Sequence, residues 1–177
     1  MSRLTVLDAG TAISFAFEDL LRYHGPGSPG GVAHAFKVLE RALPLLSPEG
    51  PPERRELTVR TAFGGPGARD GFELVTRAVT EGRYVVDPAL ARPERGATLE
   101  RFVFHLARRG ASVTLAVRAG FVPDDLIALA RLDARSPRQE ERLTALKAEM
   151  AERVMARPAD EVYDVDPARQ PPLDAGR

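Results

Sequence analysis

"TLERFVFHLA" (Thr98–Ala107) and "SVTLAVRA" (Ser112–Ala119) decide the fold. Both are rich in β-branched and aromatic residues, and "RRG" (Arg108–Gly110) joins them, so they read as the two arms of a β-hairpin. Phe102, Phe104 and Leu106 fall on one face of the first arm, and Val113, Leu115 and Val117 on one face of the second. Such a face has to be covered. Upstream, "ELTVRTAF" (Glu56–Phe63) alternates through Leu57, Val59 and Thr61 and reads as a strand, as does "RYVVD" (Arg83–Asp87). Between these strands, Phe72, Val75 and Val79 mark a short helix after the turn "GGPGARDG" (Gly64–Gly71).

The covering layer is helical. Ile13, Phe17, Leu20, Leu21 and His24 share one face of a helix predicted over residues 11–23. Ser28 is a good N-cap and Pro29 suits the first helical position, so a second helix starts there. Val32, Ala35, Phe36, Leu39, Leu43 and Leu46 form its apolar stripe, and Pro44 is expected to end or kink it. Past the hairpin, Asp124 and Asp125 make an acidic first turn ahead of Leu126 and Leu129. Ser136–Pro137 then opens a longer helix through Leu143, Leu146, Met150 and Val154. The order implies an α+β fold: two N-terminal helices, a mixed or antiparallel sheet of about four strands, and a C-terminal helical arm. The expected division is a core over residues 1–122, the arm over 123–165 and a disordered tail over 166–177.

Composition narrows the function by exclusion. Lys+Arg and Asp+Glu both number 25, and only Lys37 and Lys147 are lysines, so the basic footprint of a nucleic-acid binder is missing. No segment is apolar for long enough to span a membrane or to form the core of a signal peptide, which makes a cytoplasmic protein the expectation. Cysteine is absent, which removes disulfides, thiolate zinc sites and cysteine nucleophiles.

The chemistry-bearing residues gather at two glycine-rich loops. In "YHGPGSPGGVAHAF" (Tyr23–Phe36), Gly30 and Gly31 put no side chain over the first turn of the second helix, whose N–H groups would then be open to an anion. His24 stands at the entrance and Ser28 beside it. Two readings stay open: a cradle for a small anionic ligand, or a capped helix whose glycines permit close packing. Asp70 follows the second loop and Asp87 ends its strand; each is either a local turn or dipole group or a site residue. The candidate ligand-binding set is therefore His24, Ser28, Gly30, Gly31, Asp70 and Asp87. His34 reads as a surface residue, and His105 as facing solvent or a covering helix. No H-x-x-x-H or H-E-x-x-H spacing and neither glycine-rich nucleotide motif occurs.

These pieces together resemble the family of the E-type subunit of formylmethanofuran dehydrogenase and its stand-alone relatives. Its helix ending in H-G-H-x-C-P-G is matched by His24-Gly25-Pro26-Gly27-Ser28-Pro29-Gly30, and its Cys-x-x-Asp turn by Gly67-Ala68-Arg69-Asp70. Val85-Val86-Asp87, the hairpin and "ERVMARPADEVYDV" (Glu152–Val165) follow in the family's order. The resemblance implies the family's α+β core, a homodimer, and zinc or another divalent metal near the histidine–cysteine loop. Here Pro26, Ser28 and Gly67 replace that family's second histidine and both cysteines, so the resemblance implies a pocket with a depleted metal site. Two functional expectations result. One is a homodimer binding a small anionic ligand, or acting only as a scaffold. The other is a metal-dependent enzyme in which His24 and Asp70 hold a divalent ion or His24 acts as general base, which requires the two side chains to meet. A docking role for the C-terminal arm would leave Met150 and Val154 exposed.

Overall fold

The computed structural model describes residues 2–166, and its architecture is α+β with two sheets. The hairpin is present as β5 (Val103–Arg108) and β6 (Ala111–Val117), with Arg109 in the left-handed region (φ 52°) at its turn. β3 (Leu57–Thr61) pairs antiparallel with β5 and parallel with β4 (Tyr84–Val86), and α3 (Pro66–Thr76) makes the crossover between β3 and β4. A last strand, β7 (Tyr163–Val165), pairs antiparallel with β6 and completes a mixed five-stranded sheet, ordered β4-β3-β5-β6-β7.

One face of this sheet carries Leu57, Val59, Phe104, Leu106, Leu115 and Val117, all buried beneath helices. α2 (Pro29–Leu46) lies centrally on that face. It is flanked by α3 and by α1 (Phe17–His24) on the side of β3, and by α5 (Pro137–Met155). α2 continues two residues past Pro44, because a helix near its end has few further carbonyl bonds to lose. α4 (Asp124–Ala130) leads into α5, and Ser136 and Gln139 form the reciprocal capping box at the start of α5. α6 (Ala159–Val162) is one turn ahead of β7. Met150 and Val154 are buried in the shared core, so the exposed docking face considered for the C-terminal helices is not formed.

The N-terminus corrects the expectation of a helix from residue 11. Leu4–Asp8 (β1) and Thr11–Phe15 (β2) form an antiparallel hairpin, and the helix begins only at Phe17. Ala9 and Gly10 both have positive φ (50° and 80°), the conformation that matches a two-residue turn to the twist of its strands. Leu4 and Val6 are buried, and Leu7 N–H donates to Pro52 O at 2.7 Å, docking the hairpin on the chain ahead of β3. The other addition is β7, within a stretch expected to finish as helix. Of the tail expected over 166–177, residues 167–177 lie outside the described residues; Asp166 N–H donates to Thr114 O at 2.8 Å. Among the described residues no helix is long and apolar enough to cross a membrane.

Candidate functional site

α1 ends at His24 because Gly25 takes φ 85° and returns its N–H to Leu21 O at 2.8 Å. The chain then reverses through Pro26 and Gly27 into α2. The start of α2 is not an open cradle. A Cβ on Gly30 would stand 2.3 Å from Met150 Cε, and one on Gly31 would stand 3.0 Å from the Ala68 backbone nitrogen. Both glycines are buried, and they let α5 and α3 approach the first turn of α2 at backbone distance. Of the two readings of this loop, the close contacts at Gly30 and Gly31 match the helix start whose glycines permit close packing. Ser28 is the N-cap residue, but its hydroxyl makes no capping bond.

The same crossing decides whether a metal fits. A Cβ on Gly67 would lie 2.3 Å from Ser28 O and 3.1 Å from Ser28 Cβ. The two positions where the resemblance calls for cysteines are thus pressed together, backbone on backbone, with no room for a thiolate at 67. Among the described residues no group of three His, Cys, Asp or Glu side chains could hold a metal ion. The residues present do not fit zinc.

His24 and Asp70 do meet, across 46 residues of sequence: His24 Nδ1 lies 2.8 Å from Asp70 Oδ2. A carboxylate only accepts, so Nδ1 is the donor, and in the neutral ring Nε2 is left with a lone pair. The His24 side chain is only 8% exposed, and Nε2 is buried with no hydrogen-bond partner, close to Gly27. Asp70 remains 26% exposed and also faces Arg69, whose guanidinium approaches Oδ1 at 3.3 Å. The pair therefore joins a buried imidazole to a carboxylate at the edge of solvent.

A third group near Asp70 escaped the sequence reading. Tyr84, on β4, stacks obliquely against Phe72 of α3 with centroids 5.9 Å apart, and its Oη is buried without a partner. Burial pushes the phenol up to about 12; Arg69 opposes that shift and the Asp70 charge adds to it. The pairing of Tyr84 with Val59 puts its ring on the helix-covered face, and only the fold shows its hydroxyl unmatched.

Asp87 serves a separate local purpose. Its carboxylate accepts from Ala89 N–H at 2.9 Å and pairs with Arg60, and these contacts hold it below the usual carboxylate range, the backbone bond contributing most. No hydrogen bond among the described residues joins it to His24 or Asp70.

Of the other two histidines, His34 departs from its expected surface position, while His105 keeps the expected face of its strand and is buried there. His34 is fully buried rather than on the surface. Its Nδ1 lies 2.7 Å from Tyr163 Oη, its ring packs against Phe102, and burial lowers it to about 3. His105 is buried on the opposite side of the sheet from Phe104 and Leu106, with Nδ1 2.9 Å from Thr114 Oγ1; burial and then Arg60 lower its pKa.

No protein-family model matches the chain, and the comparison with curated proteins returns no match.

Proposed function

We propose that this chain is a relative of the formylmethanofuran dehydrogenase E-type subunit family in which metal binding has given way to recognition of a small, neutral, hydroxyl-bearing ligand beside Asp70. The relationship is supported by the element order and by His24 meeting Asp70 at the two positions that the resemblance picks out. The carrying observation is a pair of unmatched polar atoms, His24 Nε2 and Tyr84 Oη, both buried and both in the surroundings of one carboxylate. Buried polar groups are rarely left unpaired, because each unmet bond costs about 1–3 kcal/mol. Nε2 offers a lone pair and Oη a proton, and a ligand bearing hydroxyl groups has the chemistry to answer each. Asp70 disfavours an anion at the same place.

The test follows the His24 ring nitrogens by long-range proton–nitrogen NMR while 1,2-propanediol, acetate or inorganic phosphate is added. The diol is expected to move Nε2 in the wild type and not to bind Tyr84→Phe. A shift produced by phosphate alone, or no shift from any probe, would overturn the reading. A second reading makes His24 a general base, favoured by the Nδ1–Asp70 bond that would orient it. A homodimer belongs to the same proposal. Its support is the open β4 edge, where Val85 and Val86 are 47% and 46% exposed and a second copy could continue the sheet.

A further inference from the structure

The second glycine loop borders a different feature, a cavity of about 270 Å³ between the end of β3 and α4. Its floor is aromatic. Phe63 stacks on Phe102 with centroids 4.3 Å apart and planes 26° from parallel. Gly65 makes this stacking possible, since a Cβ there would stand 2.4 Å from Phe63 Cζ. Gly64 and Gly65 also line the space with backbone alone.

The rim carries two guanidinium groups in different states. Arg131 is committed: it donates to Ala97 O at 3.2 Å and to Glu100 Oε1 at 2.8 Å. Arg101 also lines the cavity, is 62% exposed, and approaches Glu100 only to 4.0 Å, beyond hydrogen-bonding reach. Glu100 is thereby spent on Arg131, and the planar fork of Arg101 remains available to a carboxylate, sulfonate or phosphate. A flat apolar floor below an uncommitted guanidinium recognises a ring bearing an anionic group. The volume lies just under the usual range of about 300–1,000 Å³ for small-molecule sites, which suits a single ring.

We propose that this cavity binds a single-ring aromatic anion, with the ring against Phe63 and the anionic group on Arg101. This site is distinct from the His24–Asp70 pair and does not depend on that reading. Arg101 is an exposed side chain, so Arg101→Gln should fold normally.

The test is a proton–nitrogen NMR titration with benzoate, using benzyl alcohol and acetate as controls. Benzoate is expected to shift the Gly64 and Gly65 amides and the Phe63 ring signals while leaving the His24 ring unmoved. In Arg101→Gln, benzoate affinity should fall at least about 5-fold, in line with loss of a charge-assisted bond. Benzyl alcohol should bind both proteins equally and acetate neither. Three outcomes would overturn the proposal: benzoate leaving Gly64 and Gly65 unmoved, benzoate acting at His24 instead, or an Arg101→Gln affinity equal to wild type.

Discussion

His24 and His34 stand ten residues apart and at first sight make the same arrangement. Each uses Nδ1 for one bond, to Asp70 at 2.8 Å or Tyr163 at 2.7 Å, and each has a buried Nε2 without a partner. What differs is what the partner can reach. Tyr163 is fully buried and sits opposite Val117 on the sheet, so the His34 pair is sealed inside the core. Asp70 is a quarter exposed, so the His24 pair opens toward solvent through a charged group. The imidazole geometry does not separate a core fastener from a site; access and the chemistry of the partner do.

The largest expected effect is on the sealed side. His34→Ala removes a packed ring and strands the Tyr163 hydroxyl, and should cost about 3–5 kcal/mol of stability in urea unfolding. An effect under about 1 kcal/mol would show that the core does not depend on this fastener. Gly67→Ala comes next, because the new methyl would meet Ser28 O across the α2–α3 crossing. A loss of about 1–3 kcal/mol is expected, whereas an unchanged midpoint would show that the crossing can open to admit a side chain.

The same comparison has a pH signature. His34 is lowered from 6.5 to about 3 in the folded chain, so between these values the unfolded chain binds the proton and the folded one does not. Its contribution to stability is complete above pH 6.5 and is lost as pH falls toward 3, by about 1.4 kcal/mol per unit. Urea unfolding at pH 7 and pH 5 should show this drop in the wild type and a reduced one in His34→Gln; equal slopes would contradict it. The smallest effect is at the open pair. Asp70→Asn should lower stability by only about 1 kcal/mol, as expected for one partly exposed hydrogen bond. A loss above about 3 kcal/mol would move His24 into the same class as His34.

The sequence was most legible where one pattern admitted one structure. β5 and β6 followed from two β-rich arms around a short turn, and α5 from Ser136–Pro137 ahead of an apolar stripe. The β1–β2 hairpin was hidden because Ile13, Phe17 and Leu20 fit a helical face as well as a strand running into a helix. Its turn is also made by Ala9–Gly10 rather than by a residue pair typical of such turns. β7 is three residues long, and its pairing depends on the open edge of β6. His34 was misplaced because α2 has neighbours on nearly every side, so leaving its apolar stripe does not lead to solvent. At the candidate site, the two glycine loops and the resemblance pointed to His24 and Asp70. The unmatched Tyr84 hydroxyl is a product of packing between β4 and α3, which no local pattern encodes.

The α2–α3 crossing leaves no room for a thiolate at position 67, and His24 and Asp70 form a hydrogen-bonding pair beside it. The most direct measurement is elemental analysis of the protein purified without an affinity tag, beside His24→Ala and Asp70→Ala. The account expects no zinc, nickel or iron near one equivalent in any of the three. Near-stoichiometric metal in the wild type that disappears in both variants would contradict it.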